Sequence, residues 1–337
     1  MLSDSLSREA NAIMISSVGL SITRLGGYAP ALPTPFHAHD KVDLAAFEHM
    51  CELQLRAGAT ALVVAGTTGE APTLSHTEHA ELVSVAADVA NGRIPVIAGT
   101  GSNSTAHAIA LTQDAEAAGA DAALCVVPYY NKPTQAGIYA HFCAIAQATS
   151  LPIILYDVPS RTVCRLEDET IVRLVAEMPQ IIGLKDASAD LTRPQRLRSR
   201  LGPGFRLMSG DDATALAFLA LGGDGCISVT SNVAPGPCRD MYLSCKRGEL
   251  PRAQRLDADL ARLTAALFRE ASPAPLKYAL SRLGLMSSRL RLPLVEPTAQ
   301  TRSELDKILA DLSGRYGDGL VLNSRLSSKP AVLARAS

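Results

Sequence analysis

Five stretches of the chain hold the side chains that could do chemistry. The apolar run Gln180-Ile181-Ile182-Gly183-Leu184 leads into Lys185 and Asp186. A run of this length between polar residues reads as a buried strand. A lysine at the last position of that strand stands at the mouth of a core. Apolar walls there disfavour the ammonium form and leave an amine able to act as a nucleophile. The other four stretches are Gly66-Thr67-Thr68-Gly69-Glu70, Pro128-Tyr129-Tyr130-Asn131, Tyr156 with Val158-Pro159-Ser160-Arg161-Thr162, and Ser209-Gly210-Asp211-Asp212. Each alone has a bland reading. Lys185 could be a solvated strand-end cation, Gly66–Glu70 a tight turn, Tyr129 and Tyr130 rim packing, and Arg161 a surface charge.

Together they suit a 2-oxo acid. The lysine amine condenses with the ketone to give an imine. The protonated imine withdraws electrons, so the neighbouring methyl group loses a proton and becomes a carbon nucleophile. The imine is itself the electron sink, so this chemistry calls for no metal or organic cofactor. The phenols and the threonine hydroxyl can relay protons, and the arginine can grip a carboxylate through paired hydrogen bonds. Other chemistries fit less well. Gly66–Glu70 is not followed by the Gly-Lys-Ser/Thr of a phosphate loop. Gly99-Thr100-Gly101-Ser102-Asn103-Ser104 lacks the third glycine of a dinucleotide fingerprint. His76, His79, His107 and His141 have no Glu or Cys at zinc-like spacing.

The elements that must bring these stretches together alternate along the chain. Candidate strands are 29–32, 60–65, 95–98, 122–127, 152–156, 181–185, 205–209 and 226–230. Candidate helices are 44–57, one opened by the capping box Ser75-His76-Thr77-Glu78, 104–118, 135–149, 167–177, a segment near 193–200, and 213–221. Eight strand-helix units, with the helices after Thr230 serving the eighth strand, predict a parallel sheet closed into a (β/α)8 TIM barrel. An open doubly wound sheet is the alternative. The barrel is expected over residues 27–235 and a C-terminal helical region over 236–312, broken by Pro251, Pro273, Pro275 and Pro293. Residues 1–26 are expected to be a disordered extension or a start assigned too far upstream, and 313–337 a polar tail. In a barrel the site lies at the carboxyl ends of the strands, where all five stretches would converge.

Composition narrows the function classes. The 337 residues carry a formal net charge of -1, which argues against nucleic-acid or acidic-membrane partners. With 47% hydrophobic residues, 4% aromatics and no Trp, the core must be mainly Ala, Val, Leu and Ile. Seven cysteines without paired spacing read as reduced cytosolic thiols. No apolar run reaches membrane-spanning length, and a cytoplasmic protein is expected.

From about Tyr28 to Leu312 the chain strongly resembles the 4-hydroxy-tetrahydrodipicolinate synthase family of pyruvate-dependent class I aldolases. The likeness is carried by the five stretches above, extended to Lys132-Pro133 after Asn131 and by Asp157 after Tyr156. The resemblance implies that pyruvate forms a Schiff base with Lys185, and that the enamine adds to L-aspartate 4-semialdehyde. It implies a proton relay of Thr67, Tyr130 and Tyr156, with Tyr156 beside the imine. Thr68 matches a pyruvate carboxylate ligand, and Arg161 the carboxylate clamp for the semialdehyde. Ile227 matches a residue whose carbonyl faces the pyruvate site, and Gly210 and Asp211 fall in the motif that borders it. Tyr130 would reach a neighbouring subunit's site, so a homodimer is implied, and a tetramer of two dimers is the usual arrangement. No cofactor is implied.

Two positions depart from the family pattern. His76, His79, Asn103 and Tyr129 match an allosteric lysine pocket, yet His107 stands where lysine-inhibited bacterial members tend to carry an acid. Weak or absent lysine inhibition is therefore expected. Ser272 stands where many members have Asn beside the site. Sister aldolases, such as N-acetylneuraminate lyase or 2-keto-3-deoxy sugar-acid aldolases, typically lack the pairing of Tyr130 with Arg161. A non-catalytic barrel acting as a ligand sensor would have no reason to keep Lys185, Tyr156 and Thr67 together.

Overall fold

The computed structural model describes residues 25–320. Residues 1–24 of the expected extension (1–26) and 321–337 of the expected tail (313–337) lie outside the described residues, while Leu25 is buried in the inner layer of the barrel rather than part of an extension. Eight parallel strands follow in the order β1 (Gly27–Pro30), β2 (Leu62–Val64), β3 (Val96–Gly99), β4 (Ala122–Val126), β5 (Ile153–Asp157), β6 (Ile181–Asp186), β7 (Arg206–Ser209) and β8 (Gly225–Ser228). Their hydrogen-bonded order is β1-β8-β7-β6-β5-β4-β3-β2. A parallel bridge between Ala31 and Val63 joins the two ends, so the sheet closes into the (β/α)8 barrel.

Seven helices alternate with the strands: α1 (Leu44–Arg56), α2 (His76–Ala90), α3 (Thr105–Ala117), α4 (Gln135–Gln147), α5 (Asp168–Glu177), α6 (Arg193–Leu201) and α7 (Ala215–Ala220). The eighth is α8 (Pro235–Lys246), and α9 (Leu250–Leu267), α10 (Ala274–Arg282) and α11 (Ala299–Tyr316) form the C-terminal helical region. The α2 capping box is present. Ser75 Oγ accepts from the Glu78 amide at 3.2 Å and Glu78 Oε2 accepts from the Ser75 amide at 2.9 Å.

Alternation along each strand builds two layers of core. Val63, Ile97, Ile154, Met208 and Ile227 fill the barrel interior with Ala29 and Ala31. Leu62, Val64, Val96, Ala98, Leu155 and Leu207 face outward and pack on the helices. At roughly 1.5–3 kcal/mol for each fully buried aliphatic side chain, this double layer is the main stabilising term.

Strand β1 begins two residues earlier than the apolar pattern indicates. A Cβ on Gly225 would sit 2.3 Å from the Gly27 carbonyl oxygen, so glycine is what lets β1 and β8 approach. At the other end, α11 runs through Tyr316, into the stretch expected as tail. Tyr316 donates to Asp259 at 2.6 Å and Arg315 reaches the same carboxylate at 2.9 Å, which docks the last turn on α9.

Candidate active site

Lys185 points into the barrel because β6 is irregular. Ile181 packs in the outer layer and Ile182 against the inner one. Simple alternation from Ile181 would turn Lys185 outward, toward the helices. The register skips a residue instead: Ile153 pairs with Ile181, but Ile154 pairs with Gly183. That bulge reverses the phase of every later side chain. Leu184 then faces out and Lys185, paired with Tyr156, faces in. Gly183 permits the bulge, since a Cβ there would lie 2.8 Å from the Arg206 carbonyl oxygen. Lys185 is 7% exposed, and its Nζ lies 4.2 Å from the centre of the Tyr156 ring. Gly210 leaves room for the lysine stem: a Cβ at this position would meet Lys185 Cε at 3.0 Å.

Behind this pair, on the outer face, Asp157 and Asp186 are also register partners. One fully buried guanidinium holds both. Arg193 Nη1 donates to Asp157 Oδ2 at 2.6 Å and to Asp186 Oδ1 at 3.4 Å, and Nε donates to Asp168 at 2.9 Å. Arg193 Nη2 donates to the Leu166 carbonyl. Burial pushes the Asp157 carboxyl up, and the Arg193 guanidinium only partly offsets it.

In front, a cavity of about 310 Å³ opens along the carboxyl ends of β2 to β5. Gly66, Thr67, Tyr129, Tyr156 and Arg161 line it, with apolar walls from Leu124, Val126 and Val158. The Gly66–Glu70 turn is folded on itself: the Gly69 amide donates to the Gly66 carbonyl at 3.0 Å and the Glu70 amide to that of Thr67 at 3.2 Å. Thr68, within it, is buried. Arg161 is exposed on the helical turn Pro159–Thr162.

His79, Ser102 and His107 line the far side of the same cavity. Burial lowers the His79 pKa; its Nε2 lies 2.9 Å from the Gly99 carbonyl oxygen, and its Nδ1 is buried without a partner. His107 lies 3.1 Å from His76, which in turn meets Asp114 at 2.7 Å. The Asn103 carbonyl accepts from the Asn131 side chain at 2.8 Å. The five residues expected in an allosteric pocket therefore lie near one another.

Two expected residues, Asp211 and Tyr130, stand apart. The Asp211 carboxylate caps the turn that follows it, accepting from the Ala213 amide at 3.3 Å and Thr214 Oγ1 at 2.7 Å. It lines a second cavity of about 200 Å³, on the α8–α9 side of the barrel. Tyr130, with φ of 73°, is 88% exposed and does not line its own chain's cavity. Ile227 is buried in the inner layer of β8. Ser272 is buried just before α10. Sequence reasoning missed Arg193 and the role of Glu70, whose partners lie on other elements. Among the described residues, no cluster of His, Cys, Asp and Glu could hold a metal ion.

A barrel whose sixth strand presents a buried lysine against a tyrosine ring, with hydroxyls and an arginine along the adjoining cavity, has the architecture of a Schiff-base aldolase. The chain belongs to the dihydrodipicolinate synthetase family, whose model matches residues 24–312. It is 50% identical over 286 residues to the 4-hydroxy-tetrahydrodipicolinate synthase of Gluconobacter oxydans, covering 85% of this chain and 96% of the relative. It is 52% identical over 276 residues to that of Rhodospirillum centenum, covering 82% and 94%. Among solved structures, a chloride-inhibited dihydrodipicolinate synthase from Acinetobacter baumannii, complexed with pyruvate, superposes with a TM-score of 0.82 at 44% identity. That match covers 85% of this chain and 98% of the other.

Proposed function

We propose that this enzyme is a lyase that condenses pyruvate with L-aspartate 4-semialdehyde to give 4-hydroxy-tetrahydrodipicolinate, in lysine and diaminopimelate biosynthesis. The observation that carries the reading is Lys185 Nζ, 4.2 Å from the Tyr156 ring centre, beside the cavity that Thr67 and Arg161 line. The names of the relatives and the pyruvate complex of one of them support it.

The Lys185 amine adds to the pyruvate ketone, and loss of water leaves a protonated imine. Tyr156 is the acid and base at this step and passes the proton to Thr67. Loss of a methyl proton converts the imine to an enamine, whose carbon attacks the aldehyde of the semialdehyde. The substrate's amino group then closes the ring and displaces the lysine. Thr68 holds the pyruvate carboxylate, and Arg161 clamps that of the semialdehyde with paired, charge-assisted hydrogen bonds. Ile227 and Gly210 border the pyruvate end, and Asp211 holds the loop that carries Gly210.

Tyr130 completes the relay in a second copy of the chain, which its exposure favours, so the working unit is a homodimer, doubled into a homotetramer. No helix among the described residues is long and apolar enough to cross a membrane, and the seven free cysteines suit a reducing, cytoplasmic setting. Incubating the protein with pyruvate and each candidate aldehyde tests the reading. Product should require the semialdehyde. Turnover of a sugar aldehyde without turnover of the semialdehyde would make this a sister aldolase.

A further inference from the structure

The loop that carries Thr67 and Thr68 is held from outside the barrel by an ion pair with no exposure at all. Lys277, on α10, donates to Glu70 Oε1 at 2.6 Å, and both side chains are 0% exposed. The same ammonium donates to the Thr34 carbonyl at 2.8 Å and lies 4.2 Å from the Phe36 ring centre. The second carboxylate oxygen of Glu70 accepts from the Arg291 amide at 3.0 Å. The Arg291 side chain spans the neighbouring loops, donating to the Asp40 carbonyl, the Thr73 carbonyl at 2.6 Å and the Glu78 carboxylate. Thr34 Oγ1 donates to the Gly69 carbonyl at 2.6 Å.

A buried ion pair is a poor way to gain stability, because removing two charges from water offsets most of their attraction. What it fixes is geometry, and this loop needs fixing. Ala65, with φ of 51°, and Glu70, with φ of 56°, are non-glycine residues in the left-handed region on either side of Gly66–Gly69. Such residues persist only where the surroundings over-determine them. Besides Thr34, the constraint on Glu70 comes from residues more than 200 positions further along the chain.

We infer that Lys277 and Glu70 are positioning residues: the C-terminal helical region sets the shape of the Gly66–Glu70 loop and hence the seat of the pyruvate carboxylate. The inference rests on reading Thr67 and Thr68 as pyruvate contacts. Neither Lys277 nor Glu70 lines the cavity, so both act through the loop backbone.

Two measurements on the full chain test it. The first compares wild type with Lys277→Met and with the Glu70→Gln/Lys277→Met double variant, which leaves no charge unpaired inside. Exchange of the Gly66–Glu70 amides should rise at least about tenfold. The pyruvate KM should rise roughly ten- to a hundredfold, the scale on which small misplacements act, while the semialdehyde KM stays within about twofold. A folded double variant with wild-type loop exchange and pyruvate KM overturns the inference. The second needs no variant. In native-state exchange of the wild type, the loop amides should open together with residues 274–291, as one cooperative unit. Loop amides that open independently of that segment overturn it equally. A wild-type protein that forms no adduct with pyruvate defeats the functional reading instead, which separates the two failures.

Discussion

Replacing Arg193 with methionine tests how the reactive pair is held. The guanidinium is fully buried and sits 2.6 Å from Asp157, which is itself 0% exposed, and 3.4 Å from Asp186, which is 3% exposed. These carboxylates occupy the register position next to Tyr156 and Lys185. Arg193→Met keeps much of the stem and leaves both carboxylates facing each other without a cation. Removing one partner of a buried pair costs roughly 3–5 kcal/mol, out of a total stability of about 5–15 kcal/mol. Asp157 can relieve part of this by taking a proton, since burial already pushes its carboxyl up, so the loss should fall near the lower figure. Urea unfolding followed by circular dichroism should show the midpoint shift with an unchanged slope. Asp157→Asn added to Arg193→Met should restore at least about 1 kcal/mol, because one unpaired charge disappears. At a temperature where the single variant is folded, kcat should fall about tenfold or more as the strand ends relax. A stability within about 1 kcal/mol of wild type would refute the view that this guanidinium braces the site.

Other outcomes follow from the same geometry. Tyr156→Phe should slow turnover by about two to four powers of ten, the usual scale for a lost acid/base group; full activity would remove Tyr156 from the relay. Lysine should inhibit weakly or not at all, because His107 contributes an imidazole already engaged with His76 and Ser102; strong inhibition in a dose-response assay would contradict this. Burial lowers the His141 pKa from 6.5 to about 4, so on acidification the unfolded chain takes up its proton first. The contribution is present in full above pH 6.5 and is lost as pH falls toward 4, by up to about 3 kcal/mol. Stability should decline less steeply over that window in His141→Gln, and parallel declines would show that His141 is not responsible.

The alternation of strands and helices was legible because barrel strands are short apolar runs and turns are rich in Gly, Pro and Asn. The reactive stretches were legible because strand ends converge in a barrel. Lys185 was expected at the mouth of the core, but the irregularity that turns it inward was not. Counting from Ile181 turns it outward, and the bulge at Ile182–Gly183 depends on backbone contact with Arg206, which leaves no local pattern. Asp211 reads as a site residue because of the motif around it, yet its side chain is used in capping. Arg193 looks like one of several arginines on a polar helix, and its burial appears only once β5 and β6 bring two aspartates beneath it. Glu70 and Lys277 are far apart in sequence, and no periodicity links them. Helix α11 outran its apolar pattern because Arg315 and Tyr316 dock on Asp259 through polar contacts.

The central claim is a covalent bond between pyruvate and one amine. Reducing the protein with borohydride in the presence of pyruvate, then mapping peptides by mass spectrometry, tests it directly. The account predicts a single modified peptide, carrying on Lys185 the mass of one pyruvate less one water plus two hydrogens. An unmodified Lys185, or an adduct on any other lysine, would contradict it.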